Sequence, residues 1–123
     1  MSAISLHHVQ LPYPVDKGFL VHQFYSDYVG LKEIRVNSSC RYRFALGETW
    51  LELAPSPVDV NEVIAQLAIH VSDLPALRHR LLQAGFALEE SQVLPGYRRF
   101  FVYDPAGNHL EFLEPEPYGS LTV

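Results

Sequence analysis

Polar and apolar positions along the chain follow two alternating patterns, and each pattern occurs twice. From Leu6 to Leu11, His8 and Gln10 fall on one side and His7, Val9 and Leu11 on the other, which is the period of a half-buried strand. Pro12 and Pro14 are expected to end it. Between Asp16 and Tyr28 the residues Leu20, Val21, Phe24, Tyr25 and Tyr28 recur at helical spacing, and Gly30 sits where a left-handed cap belongs. Three short strands are predicted next: Lys32 to Asn37, Arg41 to Leu46 and Thr49 to Ala54. They are separated by turns at Asn37-Ser38-Ser39 and Gly47-Glu48. Pro55-Ser56-Pro57-Val58-Asp59 reads as a linker.

The pattern then begins again. Gln66 to Val71 alternates Leu67, Ile69 and Val71 against Gln66, Ala68 and His70. Ser72 and Asp73 are candidate N-caps, Pro75 fits a first turn, Leu74, Leu77 and Leu81 form a stripe, and Gly85 closes the helix. Leu88 to Gln92 is a short strand and Leu94-Pro95-Gly96 a turn. Arg98 to Pro115 is a hairpin about Asp104-Pro105-Ala106-Gly107-Asn108, with proline and glycine setting the turn and Asp104 and Asn108 able to bond its backbone.

Both halves therefore read strand, helix, strand, strand, strand. The distance from His8 to Glu52 matches that from Gln66 to Glu111 to within one residue. A pseudo-twofold arrangement of two such units would turn His8, Glu52, Gln66 and Glu111 toward one cleft. Val9, Leu11, Leu51, Leu53, Leu67, Ile69, Leu110 and Phe112 have the opposite parity and would pack under the helices. The predicted fold class is α+β, with two tandem βαβββ modules forming a curved mixed sheet around a cleft. The expected organisation is one domain over 1–123: a first module over about 4–54, a linker over 55–63, a second module over 64–115 and a tail over 116–123.

Composition narrows the function. The chain has 123 residues, 48% of them hydrophobic and 19% charged, with a net charge of −5. That is a globular composition with no basic stripe, which argues against nucleic acid as a partner. No apolar run approaches membrane-spanning length and the amino terminus lacks the form of a signal peptide, so no membrane partner and a cytoplasmic location are expected. A single cysteine, Cys40, excludes an internal disulfide and a thiolate metal cluster.

His8-Val9-Gln10-Leu11, Phe24-Tyr25 with Val29-Gly30-Leu31, Leu51-Glu52-Leu53, and Asp104-Pro105-Ala106-Gly107-Asn108-His109-Leu110-Glu111 resemble the vicinal oxygen chelate superfamily. That group holds glyoxalase I, methylmalonyl-CoA epimerase, extradiol dioxygenases and the fosfomycin- and bleomycin-resistance proteins. The resemblance runs from about Ile4 to Pro115, and its texture is that of small single-domain members without an assigned reaction. It implies metal ligands at His8, Glu52, Gln66 and Glu111, holding a divalent ion (Zn, Ni, Mn, Co or Fe) with positions open to two adjacent substrate oxygens. Such an ion acts as a Lewis acid while a carboxylate, Glu52 or Glu111, moves a proton.

Each of these residues also has an ordinary reading. His8 could be a hydrogen-bonded, half-buried histidine, and the two glutamates could be charges that discourage strand pairing. Gln66 departs from the histidine common in metal-dependent relatives, so the cleft could instead bind by shape without metal. His70 is a candidate second base. Gln10, Trp50, Arg98 and Arg99 are candidate substrate contacts.

Pro12 stands where glutathione-dependent glyoxalase I commonly has an arginine, and the missing second histidine disfavours both an Fe(II) dioxygenase and a fosfomycin transferase. The expected activity is a metal-dependent lyase or isomerase acting on a small oxygenated substrate. The alternative is a metal-free binding or sequestering protein using the same cleft, with a dioxygenase behind both. Open edges on each incomplete sheet predict a homodimer.

Overall fold

The computed structural model describes residues 2–36, 40–56, 66–90 and 93–117. The predicted turn at 37–39, most of the linker, the end of the 88–92 strand and much of the tail lie outside the described residues. The chain divides into two compact units, residues 1–63 with 105–107, and residues 64–104 with 108–123.

The first unit runs β1 (Val9–Pro14), a 3-10 turn (Val15–Lys17), α1 (Gly18–Gln23), a π-helical turn (Phe24–Tyr28), β2 (Glu33–Ile34), β3 (Tyr42–Leu46) and β4 (Thr49–Ser56). Its sheet has the order β1-β4-β3-β2, with β1 parallel to β4 and the other pairs antiparallel. Leu11, Tyr13, Phe44, Leu51 and Leu53 are buried on one face, and Val21, Phe24 and Tyr25 are buried in the helical segment above. The Tyr25 and Phe44 rings meet at 5.9 Å.

Several boundaries differ from the sequence pattern. Leu6 to His8 precede the strand. Pro12 and Pro14 lie within it, opposite Ala54 and Ser56, because β1 has one neighbour among the described residues and does not need every ladder donor. Pro55 likewise continues β4: β3 runs out at the Tyr42–Leu53 pair, leaving only β1 alongside. The expected single helix over 16–28 is three pieces. It closes on a widened turn in which Val29 N donates to Phe24 O at 2.9 Å and Leu31 N to Tyr25 O at 2.9 Å, with Gly30 at φ +83°. Leu20, placed on the apolar stripe by spacing, is 48% exposed. The predicted strand over 32–37 shortens to Glu33 and Ile34 among the described residues.

The second unit runs β5 (Gln66–His70), α2 (Leu74–Gln83), β6 (Tyr97–Tyr103) and β7 (His109–Pro115). Its sheet order is β5-β7-β6, with β5 parallel and β6 antiparallel to β7. The predicted strand over 88–92 contributes a single antiparallel bridge, Glu89 to Phe101, closed by hydrogen bonds of 2.9 and 2.8 Å. The next residue, Glu90, turns to Arg78 of α2, which donates to it at 2.5 and 2.9 Å. With that bridge counted, the second unit repeats the strand order of the first.

Asp73 caps α2 by accepting from Ala76 N at 3.2 Å, and Leu74, Leu77 and Leu81 are buried along its inner side. The terminal hairpin is held by buried Asp104 and Asn108. The two Asp104 carboxylate oxygens accept from Asn108 N and Nδ2, both at 2.9 Å, and Gly107 takes φ +92°. The architecture is mixed α+β with two mixed sheets, as the sequence pattern predicts.

Candidate functional site

Strand parity gives each sheet one apolar and one polar face, and the candidate residues collect on the polar ones. In the first unit Glu52 is central on β4, opposite Gln10 of β1 and Arg43 of β3. In the second, Glu111 is central on β7, opposite Ala68 of β5 and Phe101 of β6. His8 lies two residues ahead of Gln10 and Gln66 two ahead of Ala68. The pair His8 and Glu52 is therefore laid out in its unit as Gln66 and Glu111 are in theirs. Both glutamates are 7% exposed, whereas His8 and Gln66 are exposed.

A carboxylate that deep needs partners, and the sheets supply guanidinium groups. Arg43 donates to Glu52 Oε1 through Nε at 3.3 Å and Nη2 at 2.9 Å, and Arg41 Nη1 reaches Glu52 Oε2 at 3.2 Å. Arg41 Nη1 also donates to Gln10 Oε1 at 3.3 Å. Arg99 Nη1 donates to Glu111 Oε2 at 3.1 Å. Arg41 precedes the residue facing Glu52 by two positions, and Arg99 precedes the residue facing Glu111 by two. The same nitrogen thus meets the same oxygen at matching places in both units.

Trp50, on the face of Glu52, carries the Arg43 guanidinium 4.8 Å from its ring centroid. The His8 ring stacks on Trp50 at 5.2 Å and 4°. His8 Nδ1 shares a 2.9 Å hydrogen bond with His7 Nδ1, and the buried Trp50 Nε1 has no acceptor among the described residues. In the second unit His70 is exposed and stacks on Tyr97 at 6.0 Å. Arg98 points to the other face and pairs with Glu114 at 2.8 Å, so only Arg99 of that dipeptide joins Glu111. Arg98 and Arg99 both line a cavity of about 430 Å³ whose apolar wall includes Leu74, Pro75, Leu94 and Tyr97.

The reading from sequence missed Arg41 and Arg43. A signal was there: a two-residue turn at Gly47-Glu48 fixes the hairpin register so that Arg43 faces Glu52.

The divalent ion implied by the resemblance would draw on Glu52 and Glu111. Both oxygens of Glu52 and Oε2 of Glu111 already accept from arginines, so a cation at either carboxylate would compete with a guanidinium, most strongly at Glu52. Among the described residues no three His, Cys, Asp or Glu side chains gather as a metal would require. Taken by itself, each unit supplies two of the four implied ligands, His8 and Glu52 in one and Gln66 and Glu111 in the other, and its glutamate is shared with arginine.

Two βαβββ units, each with a carboxylate in its last strand and a polar residue at the matching place near its first, are the build of a vicinal oxygen chelate protein. The chain belongs to the Glyoxalase/Bleomycin resistance protein/Dioxygenase superfamily, whose sequence profile matches residues 5–112. No curated protein matches it. Among solved structures it is similar to a protein of Bacillus anthracis described as a glyoxalase family member, at 23% identity and a TM-score of 0.83 over 94% of this chain and 98% of that one. Lactoylglutathione lyase from Agrobacterium tumefaciens matches at 20% identity and a TM-score of 0.73, over 96% and 98%. An antibiotic binding protein from a Streptomyces species matches at 23% identity and 0.74, over 94% and 100%. At these identities the likeness carries the fold, and the three proteins differ in what they do.

Proposed function

We propose that this chain binds a small oxygenated molecule on the polar faces that carry Glu52 and Glu111, with arginines in place of a resident divalent ion. The observation behind this reading is the paired contact of Arg41 Nη1 with Glu52 and Arg99 Nη1 with Glu111, at 3.2 and 3.1 Å. A cation approaching Glu52 would meet guanidinium groups already bonded to both of its oxygens, and one approaching Glu111 would meet Arg99 on Oε2. One structural neighbour is an antibiotic binding protein. Gln10, Trp50 and Arg99 are the proposed ligand contacts; Arg98, turned to the other face in its pair with Glu114, is not among them.

A second reading, a metal-dependent lyase or isomerase with His8, Glu52, Gln66 and Glu111 as ligands and His70 as an added base, is favoured by the matching placement of the His8 and Gln66 positions. Titrating Zn, Ni, Mn, Co and Fe(II) into chelator-treated protein separates the two. The first reading expects no stoichiometric uptake. One ion bound tightly per chain, and lost in both Glu52→Gln and Glu111→Gln, would replace it with the second.

We further propose one domain built of the two modules, working as a cytoplasmic homodimer. Supporting this are β1 and β5, each with a neighbour on one side only among the described residues, and the presence of a single cysteine, Cys40, which allows no disulfide within the chain. A monomeric mass by light scattering would rule out the dimer. No helix among the described residues is long and apolar enough to cross a membrane.

A further inference from the structure

The polar face of the first sheet holds more hydrogen-bond donors and more positive charge than its own acceptors use. Arg41 and Arg43 share a single carboxylate, Glu52, which leaves that group with one positive charge in excess. Glu52 accepts from Arg41 Nη1 and from Arg43 Nε and Nη2. Arg41 Nε and Nη2 and Arg43 Nη1 have no acceptor among the described residues. The Trp50 indole N–H on the same face also lacks one. Gln10 Oε1 is a further acceptor engaged there, taken by Arg41 Nη1.

The two arginine side chains remain 45% and 33% exposed while Glu52 is covered, so a solute can reach the guanidinium groups. A cation would be repelled by the net charge. A small oxyanion brings acceptors only, and a planar carboxylate matches the fork of a guanidinium.

From this we infer that Arg41 and Arg43 form an anion site on the polar face of the first sheet, one that takes a small carboxylate or a chemically similar oxyanion, with Trp50 as its floor. Glu52 then acts as an internal stand-in for the ligand, holding both guanidinium groups in place while competing for them. The second sheet has no such excess around Glu111. Phe101 occupies the place of Arg43 there, and Glu111 pairs with one arginine, Arg99, among the described residues. This inference rests on the proposal that the polar faces bind ligand without a resident metal, and it names the ligand's chemistry.

The test follows the indole N–H resonance of Trp50, the chain's one tryptophan, by NMR. Pyruvate or inorganic phosphate is added to the chelator-treated full chain at low ionic strength. Saturable shifts are expected, and the better-bound of the two identifies carboxylate or phosphate as the preferred anion. Arg43→Gln should weaken binding about tenfold or more, the loss of one charge-assisted pair. Glu52→Gln, with Glu52→Ala as a second variant should the first not fold, should tighten it because the internal competitor is gone. Lys17→Gln, which removes an exposed cation in the 3-10 turn after β1, should leave it unchanged. No saturable shift in wild type or in either Glu52 variant overturns the anion site, as does weaker binding in a folded Glu52 variant. Those failures leave the metal-free reading standing, whereas stoichiometric metal uptake in the separate titration removes that reading itself.

Discussion

Glu52 and Glu111 occupy the same place in two units of the same strand order, yet their surroundings differ. Both are buried, and both accept from an arginine two residues ahead of the position they face. The facing position itself is Arg43 in the first unit and Phe101 in the second. That single difference gives Glu52 two guanidinium groups and Glu111 one. It also places a cation over Trp50 in the first unit, whereas in the second an aromatic ring stacks on His109 at 5.2 Å. The repeat therefore conserves the geometry of a carboxylate on a sheet while changing its charge balance, from an excess of positive charge to a neutral pair.

The comparison breaks most readily at Arg99. Its side chain is 16% exposed, and its loss leaves Glu111 buried without a countercharge. Arg99→Ala should cost about 3 kcal/mol in urea unfolding, as for a broken buried pair. Arg43→Ala should cost less, about 1 kcal/mol, because Arg41 still holds Glu52. Equal costs for the two would mean that the second guanidinium on Glu52 is not a reserve and that the units are alike.

Exchanging the facing residue sharpens the contrast. Arg43→Phe copies the second unit's arrangement into the first and should abolish the Trp50 response to pyruvate while the chain stays folded by circular dichroism. A retained response would place the anion elsewhere.

The smallest effect belongs to the exposed pair of Arg78 and Glu90, which serves as a surface reference. The hydrogen bond from Arg78, opposed in part by desolvation, holds the Glu90 carboxyl below its usual range. Its contribution is complete above the ordinary carboxylate pKa and fades as pH falls through the lowered folded value. Glu90→Gln should leave the urea midpoint at neutral pH within error, since solvent screens an exposed pair. A clear drop would show that surface pairs in this chain count for as much as the covered ones.

Much of the fold was legible along the chain because strand and helix periods leave local signatures. The two-fold order of elements, the apolar faces under Leu51, Leu53, Leu110 and Phe112, the cap at Asp73 and the Asp104–Asn108 hairpin all depend on near neighbours. What was misread depended on position within a sheet. Pro12, Pro14 and Pro55 look like terminators in sequence, yet they sit in strands wherever a neighbour is missing. The 88–92 segment has strand composition, but among its described residues Glu89 alone pairs, while Glu90 turns to Arg78.

The candidate site divides along the same line. Parity alone placed Glu52 and Glu111 on polar faces, because side chains alternate along any strand whatever its neighbours. Sequence also marked His8 and Gln66 as matching positions. Which of Arg98 and Arg99 joins Glu111, and that Arg41 and Arg43 close on Glu52, were settled by cross-strand register and side-chain reach. Those are tertiary quantities: a buried carboxylate takes whichever cation the adjacent strand brings within about 3 Å, and that neighbour lies at a sequence separation no local pattern records.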